Sequence, residues 1–429
     1  MELSRLKDTK ITSERMILMD DFLKNQIINS IKYIPINIVK SFFIAKSSDE
    51  TKALRKKGFV RGVCHAPENY KQLHEANISW VRLDIPYPFD ENGSVRQIYL
   101  DRKQECIRFS ENGFKVMAIT YYPAECIKFG ADVRTPEGEQ KLRETARFVA
   151  NDLKDCVGGF QVANEMGMPH FTLPLTMDEA VKFIGVQLEE IHPLKGNAII
   201  GYNSAGPQLD LHLPMKKYHR YCDYVGLDMY LGCFFNMPGF VFMFSVMARF
   251  LWALTRKPIL MQEFGYIGDG KPKTKQEKKQ ILQGYGFESE EDAKKDMEAF
   301  VNSLSPHFAG HVRRACGNDA SKYATLLFNG DMKNHLYKEL PRITVIPGIA
   351  HTPEGQAKFF KKVIQLFYDL DFVCGCIIYC YSDYEKCGYC GQADCPTETR
   401  WGLVDQKGKP KPAYYAVKEI YGKIKNSEE

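Results

Sequence analysis

The chain has 429 residues, of which 44% are hydrophobic and 26% are charged. These proportions are ordinary for a soluble globular enzyme, and the length suits one large domain or two small ones. The net charge of +5 is spread over a long chain, so the composition does not indicate a nucleic-acid-binding protein.

The 13 cysteines are an odd number, and several lie in apolar, strand-like segments at Cys374, Cys376 and Cys380. Buried free thiols account for such positions, which favours a reducing compartment over a disulfide framework. The first residues, Met1–Arg5, lack the basic segment and apolar core of a signal peptide; a leader removed earlier is the alternative. We therefore expect a cytoplasmic protein.

Residues 229–248 carry no charge and form a run long enough to raise the question of a membrane span. Asn236, Pro238, Gly239 and Ser245 interrupt the run, which continues directly from a strand-like segment. We therefore do not expect a transmembrane segment.

Residues 1–56 precede the repeating pattern of the rest of the chain. Apolar residues recur at helical spacing over 20–32, and Pro35 interrupts that pattern. We expect an N-terminal helical extension packed on the main domain, with a membrane-surface segment as the alternative.

From residue 57 to residue 429, short apolar runs alternate with helix-like segments, which predicts a parallel sheet. Helix starts are marked by Thr135-Pro136 and by the capping box Thr176–Glu179. The strand-like runs are 59–63, 78–83, 114–119, one within 158–167, 197–202, 224–230, 257–263 and 374–381.

Eight such units predict a (β/α)8 barrel, with a long insertion at about 268–348 after the seventh strand. Within the insertion, one helix is predicted near 289–304. A doubly wound open sheet is the alternative fold. The glycine fingerprint of its dinucleotide-binding version is absent after the first strand, where Gly62–His65 stands.

Two of the strand-like runs end in glutamate. Glu165 follows the fourth strand, directly after Asn164, and Glu263 ends the seventh strand. Because the active sites of parallel barrels lie at the carboxyl ends of the strands, the two carboxylates are expected to work on one substrate. Such a pair suits acid/base or nucleophilic chemistry.

These placements resemble the paired signature of the clan A retaining glycoside hydrolases. From the sixth strand onward, the chain is most similar to the catalytic barrel of the β-galactosidase and β-glucuronidase family. The resemblance covers about residues 57–425, and its matching segments are 227–230, 257–265, 401–405 and 410–413.

The resemblance implies that Glu165 is the general acid/base and Glu263 the nucleophile of a double displacement. It also implies that Asn164 binds the 2-hydroxyl of the sugar, that Arg82 keeps Glu263 ionised, and that Tyr230 donates a hydrogen bond to Glu263.

Several further residues are expected to contact the sugar. Tyr379 stands where the family carries a tryptophan platform, which is a departure from the pattern. The resemblance places Arg400 where glucuronidases recognise the sugar carboxylate, which hints at a uronic acid; a solvated arginine is the alternative. The other expected contacts are His65, Tyr121, Tyr381 and Trp401. For His65, a structural role is the alternative.

The loop that follows the sixth strand is rich in apolar residues. Phe234, Phe235 and Met237 come shortly after Tyr230, so they belong to a loop at the carboxyl-end face of the barrel. We expect these three side chains to line a subsite for an apolar aglycone; burial against the barrel, or cover by the insertion or by a membrane surface, is the alternative.

A loop near the C-terminus carries cysteines at the short spacing of a zinc site. Cys387 and Cys390 are separated by two residues, and Cys395 follows nearby. Only three cysteines are local, and a fourth ligand would have to come from elsewhere. We therefore expect reduced thiols and no metal at this loop, and the proposed chemistry needs no cofactor.

The sequence thus predicts a retaining β-glycosidase with a carbohydrate or glycoside as its partner. A transglycosidase would use the same residues, and a catalytically silent carbohydrate-binding barrel is the alternative from another class. The identity of the sugar, the choice between exo and endo action and the oligomeric state stay open.

Overall fold

The computed structural model describes residues 48–233, 240–330, 332–340 and 346–428, with isolated positions 36, 39 and 40. The helix predicted over 20–32 lies outside these ranges. The first helix described in full, α1 (Asp49–Arg55), packs against the barrel. Arg55 donates hydrogen bonds to the backbone carbonyls of Val373 at 2.8 Å and Tyr368 at 3.1 Å.

Eight parallel strands close into a barrel in which each strand pairs with its neighbours in sequence order and β1 pairs with β8. The strands are β1 (Val60–Cys64), β2 (Trp80–Asp84), β3 (Lys115–Ile119), β4 (Gly159–Gln161), β5 (Ile199–Ala205), β6 (Tyr224–Met229), β7 (Ile259–Phe264) and β8 (Val373–Ile378). The predicted (β/α)8 fold is confirmed, and each predicted strand overlaps an observed one.

The helices outside the insertion surround the barrel and bury their apolar faces against it, whereas those of the insertion share a second core. The remaining helices are α2 (Tyr70–Glu75), α3 (Gln97–Glu111), α4 (Pro123–Lys128), α5 (Pro136–Leu153), α6 (Pro169–Thr172), α7 (Met177–Ile191), α8 (Leu209–Met215), α9 (Val241–Thr255), α10 (Lys275–Gly284), α11 (Glu290–Ala293), α12 (Met297–Ser303), α13 (Pro306–Ala315), α14 (Lys333–Tyr337), α15 (Pro353–Tyr368), α16 (Pro396–Thr399) and α17 (Pro412–Glu428).

The predicted helix starts are formed by side-chain caps. The hydroxyl of Thr135 accepts a hydrogen bond from the Gly138 amide at 3.1 Å, at the start of α5. Thr176 and Glu179 form the predicted capping box at the start of α7, where each side chain accepts from the other's backbone amide. These local signals depend on neighbouring residues only, which is why the sequence alone identifies them.

The insertion after β7 folds into helices with a hydrophobic core of their own, separate from the barrel core. The single helix predicted near 289–304 is instead two short helices, α11 and α12. Asp296 separates them, because its side chain accepts a hydrogen bond from the Ala299 amide at 2.9 Å and starts α12 as an N-cap.

The apolar run near residues 229–248 ends in α9, whose buried face packs on the barrel. Among the helices of the described ranges, none combines the length and the hydropathy that crossing a membrane requires. All thirteen cysteines lie in the described ranges and are free thiols.

Candidate active site

Three carboxylates meet at the carboxyl ends of β4, β6 and β7. Glu165 lies just beyond β4, Asp228 lies in β6 and Glu263 lies in β7. One carboxylate oxygen of each lies within 4.8 Å of the other two. The structure therefore brings together the two predicted glutamates and adds a third carboxylate.

Sequence analysis missed the role of Asp228. Its position near the end of the sixth strand was visible, but its closeness to Glu263 depends on an irregularity in the sheet. Leu227 pairs with Met261, whereas Asp228 pairs with Glu263, so β7 carries one extra residue at Gln262. This bulge places Asp228 beside Glu263.

Arg82 links the carboxylates to the barrel wall. This guanidinium, 4% exposed, forms an ion pair with Glu263 through Nη1. Its Nε donates to Gln161 Oε1 at 2.7 Å, and its Nη2 donates to Asn164 Oδ1 at 2.7 Å. Cys64 Sγ also lies 3.5 Å from Nη1. The guanidinium therefore contacts four side chains, which leave Arg82 little conformational freedom.

Glu263 receives a second donor from the opposite side. The hydroxyl of Tyr230, which follows β6, donates a hydrogen bond to Glu263 Oε2, while Arg82 holds Oε1. Both oxygens of the carboxylate are therefore fixed. Charge-assisted hydrogen bonds of this kind set the orientation of the group.

Asn203, on β5, holds the turn that carries Glu165. Its Oδ1 accepts a hydrogen bond from the Glu165 amide at 2.9 Å, and its Nδ2 donates to Asn164 Oδ1 at 2.8 Å and to Asp228 Oδ2 at 2.5 Å. Ala163 and Glu165 have φ of 56° and 44°, a left-handed conformation that is uncommon without glycine. Asn203 thus stabilises a strained turn, a role that sequence analysis did not predict.

The surroundings of the carboxyl groups shift the pKa values of Glu165 and Asp228. Burial, together with the smaller effect of the neighbouring Glu263 charge, raises the pKa of Glu165 to about 8. Burial also raises the pKa of Asp228 well above its usual range, with contributions from Glu263 and Glu165. Both shifts favour the protonated forms of Glu165 and Asp228.

A cavity of about 260 Å³ opens beside Arg82, over the ends of β1 and β2. His65, predicted as a sugar contact, lines this cavity, as does Asp84, which accepts a hydrogen bond from the Tyr122 hydroxyl at 3.2 Å. Polar and charged groups dominate the lining, which suits a ligand rich in hydroxyls. The polar lining residues are His65, Arg82, Asp84, Arg102, Glu105 and Ser382.

Tyr379 lies in the wall of the site. Its ring is 5.6 Å from that of His65 and 5.8 Å from that of Tyr230, both edge-on. Its hydroxyl is 3.2 Å from the hydroxyl of Tyr384. The position predicted for a sugar platform is therefore adjacent to the three carboxylates through Tyr230.

Trp401 and Arg400 are close to the site but engaged with protein. The indole of Trp401 is fully buried; it packs edge-on against Tyr230 and Tyr379 and donates to the Thr397 carbonyl at 2.8 Å. Arg400 donates to the backbone carbonyls of Thr399 at 2.9 Å and Ala393 at 3.4 Å. Trp401 therefore packs against the two tyrosines, and Arg400 stabilises its own loop by hydrogen bonds to backbone carbonyls.

Two predicted contacts are not brought to the site. Tyr121 is 1% exposed and packs against Tyr87 in the layer between strands and helices. Tyr381 is fully buried, and its hydroxyl donates to Gln72 Oε1 at 2.7 Å. The position of these tyrosines directly after a strand does not reveal which side of the chain each ring occupies.

The predicted aglycone residues Phe234, Phe235 and Met237 lie outside the described ranges.

Neither a protein-family model nor a curated protein sequence matches the chain, whereas solved structures do. The GH53 catalytic domain of Ignisphaera aggregans matches with a TM-score of 0.50 at 15% identity, over 85% of this chain and 96% of that one. A family 39 glycoside hydrolase from Bacteroides cellulosilyticus WH2 matches with a TM-score of 0.50 at 12% identity, over 89% of this chain and 66% of that one.

A β-D-glucuronidase from Dictyoglomus thermophilum matches with a TM-score of 0.46 at 16% identity, over 82% of this chain and 46% of that one. The chain spans a similar share, 49%, of a β-glucuronidase from Faecalibacterium prausnitzii. At these identities, the likeness to the GH53 and family 39 structures establishes the fold, and the chain has the (β/α)8 architecture that they share.

Proposed function

We propose that the protein is a retaining β-glycosidase, with Glu263 as the nucleophile and Glu165 as the general acid/base. The observation that carries this proposal is the contrast between the two glutamates. Glu263 is held by an ion pair with Arg82 and a hydrogen bond from Tyr230, whereas burial raises the pKa of Glu165 to about 8. One carboxyl group is thereby suited to attack and the other to proton donation.

The spacing of the two groups supports retention of configuration. Retaining enzymes place their carboxyl groups about 5–5.5 Å apart, whereas inverting enzymes need about 6.5–9.5 Å to admit a water between them. An oxygen of Glu165 lies within 4.8 Å of one of Glu263, which is shorter than the separation that an inverting mechanism needs.

The reaction then follows in two steps. Glu263 attacks the anomeric carbon while Glu165 gives its proton to the leaving oxygen, which forms a covalent glycosyl-enzyme. In the second step, Glu165 takes a proton from a water that attacks the anomeric carbon, and Glu263 leaves. The aryl or sugar aglycone departs with the proton that Glu165 gives in the first step. The attacking water returns a proton to Glu165 in the second step.

Arg82 and Asn164 orient the reacting groups in this proposal. Arg82 neutralises Glu263 and ties it to Asn164. Three donors, from Arg82, Gln161 and Asn203, converge on Asn164 Oδ1, which defines that atom as the amide oxygen. The Nδ2 group is then the part of Asn164 that would donate to the 2-hydroxyl of the sugar.

A panel of aryl glycosides tests the activity, with the Glu263→Gln variant as the control. We expect turnover of at least one β-linked aryl glycoside, lost in the variant. Proton NMR of the first-formed product should show the anomeric configuration of the substrate. Initial inversion would remove Glu263 as the nucleophile, and failure to turn over any glycoside would favour a carbohydrate-binding barrel.

An added sugar acceptor separates hydrolysis from transfer. If the glycosyl group passes mainly to the acceptor at low acceptor concentration, the protein is a transglycosidase that uses the same residues. If the free sugar dominates, it is a hydrolase.

A further inference from the structure

Three cysteines and one histidine converge at a point away from the candidate active site. Cys387, Cys390 and Cys395 come from the loop after β8, and His335 comes from α14 in the insertion. One ligand atom of each, sulfur or ring nitrogen, lies within 4.8 Å of all the others. All four side chains are buried, at 0–8% exposure.

The expectation that this loop holds no metal rested on the lack of a local fourth ligand. That reason does not hold, because His335 supplies the ligand from 52 residues before Cys387. The sequence could not reveal this partner, since it reaches the cysteines only through the folding of the insertion.

We propose that His335, Cys387, Cys390 and Cys395 form a structural zinc site. Zn²⁺ bound through about 2.3 Å to sulfur and about 2.0–2.1 Å to nitrogen separates the two atoms by about 3.6 Å in a tetrahedron. The sulfurs of Cys387 and Cys395 each lie 3.4 Å from His335 Nδ1. The ligand atoms therefore already stand close to tetrahedral spacing.

The surroundings of the sulfurs also suit a metal site. The backbone amides of Tyr389 and Cys390 each donate to Cys387 Sγ at 3.4 Å, which stabilises negative charge on that sulfur. Thr397 Oγ1 lies 3.0 Å from Cys395 Sγ, to which its hydroxyl can donate. Such outer contacts orient metal ligands.

The turn that carries the first two cysteines is closed by glycine. Gly391 has φ of 73°, and its amide donates to the Cys387 carbonyl at 2.9 Å. A Cβ at this position would lie 3.2 Å from the ring of His307. Glycine satisfies both the left-handed conformation and the close approach.

The ligand set selects the metal and the kind of site. Three thiolates and an imidazole are soft and borderline donors, which suit Zn²⁺ and do not suit Mg²⁺ or Ca²⁺. Four protein ligands complete a tetrahedron, so the site is structural and keeps no position for a substrate. On binding, Zn²⁺ displaces the protons of the thiols to solvent, and no electron is transferred.

The site would fasten the loop after β8 to the insertion. The loop already contacts the insertion through Ser305, whose hydroxyl donates to the Cys390 carbonyl at 3.2 Å, and His307, whose Nε2 lies 2.8 Å from the Gly388 carbonyl. The three cysteines belong to the insertion's hydrophobic core.

From Cys395 the chain runs through α16 to Trp401, which packs on Tyr230 and Tyr379. Zinc would therefore act as a positioning element for one wall of the candidate active site. The inference does not depend on the glycosidase proposal, because it rests only on the four ligands and their surroundings.

Elemental analysis of the full-length protein tests the proposal directly. We expect one zinc per chain after purification without added metal, and loss of that zinc in the Cys390→Ser variant. The matched control is Cys316→Ser, because Cys316 is buried in the same hydrophobic core but lies outside the ligand set. This control should keep one zinc per chain.

A second measurement decides the case if Cys390→Ser does not fold. The wild-type protein, produced in cobalt-supplemented, zinc-depleted medium, should show the intense visible absorption and sulfur-to-cobalt charge-transfer bands of tetrahedral thiolate coordination. Removal of the metal should make the segment 387–400 more sensitive to protease than the barrel.

Four outcomes would overturn the proposal. They are wild-type protein without zinc and without the cobalt spectrum, a disulfide within the cysteine set in freshly purified protein, iron with labile sulfide in place of zinc, and undiminished zinc in a folded Cys390→Ser variant.

Discussion

Single residues decide which carboxyl group of the candidate site carries a proton. Arg82 and Tyr230 both bind Glu263, whereas Glu165 has the backbone support of Asn203 and a partly buried position beside two other carboxyl groups. Because the pKa of Glu165 is raised to about 8, this group is protonated at neutral pH and loses its proton as the pH passes that value.

We expect the pH profile of kcat/KM to show this ionisation. For an alkyl β-glycoside, whose leaving group needs a proton, kcat/KM should fall as the pH rises through about 8. In Glu165→Gln this alkaline limb should disappear together with most of the activity. An unchanged alkaline limb in a still active Glu165→Gln would assign the titration to another group.

The nucleophile can be identified by replacing it. Glu263→Ala should lose roughly 10³-fold or more of kcat, because positioning alone cannot replace a covalent nucleophile. Residual activity within about tenfold of wild type would point to a different carboxylate.

Azide, a small anion, should restore turnover of an activated aryl glycoside by entering the space of the removed carboxylate. The glycosyl azide from Glu263→Ala should have inverted configuration, whereas that from the control variant Glu165→Ala should have retained configuration. The same configuration from both variants would contradict the assigned roles.

At the scale of residues, the sequence revealed the glutamates because each ends a strand of recognisable pattern. The roles of Asp228 and Asn203 were not predicted, because they depend on which residues of neighbouring strands lie side by side. Tyr121 and Tyr381 show the converse: they follow strands, but both are buried and neither lines the cavity.

At the scale of elements, β6 shows how closely the strands fit around the site. A Cβ built at Gly226 would lie 2.0 Å from Gln262 Oε1 and 2.7 Å from Asn203 Cβ. Asn203 in turn holds the Glu165 amide and the Asp228 carboxyl group. The absence of a side chain at Gly226 is therefore part of how the site is built.

Gly226→Ala should destabilise the protein by about 1–3 kcal/mol, as expected for overpacking, and should also lower kcat. Urea unfolding and kinetics on one aryl glycoside measure the two effects. Gly284→Ala in α10 is the control, because a Cβ there meets no atom within 4 Å. Equal behaviour of the two variants would show that the contact with Gln262 and Asn203 relaxes without consequence.

The loop after β6 carries the aglycone hypothesis, which stays a prediction. Phe235→Ala should lose more activity on an aryl glycoside than on a methyl glycoside of the same sugar, since burying an apolar aglycone contributes about 1.5–3 kcal/mol. Equal losses on both substrates, or none on either, would show that the loop has a structural role only.

At the scale of the molecule, the described residues form two principal cores, one in the barrel and one in the insertion. The sequence predicts the barrel because each strand-helix unit repeats the same apolar pattern. It does not predict how the insertion docks, because that packing depends on contacts between distant segments. His335 meets Cys387 only in the folded protein, and so the fourth ligand was not predicted.

The pairing of β1 with β8 makes the order of units a ring. The two ends of that ring are also close, because the Phe59 amide donates to Glu428 Oε1 at 2.7 Å and Arg61 lies 3.4 Å from Glu428 Oε2. A ring has no obligatory first strand. The barrel units should therefore tolerate circular permutation, with residue 428 linked to residue 58 and new ends opened near Gly196, where a Cβ would meet no atom within 4 Å.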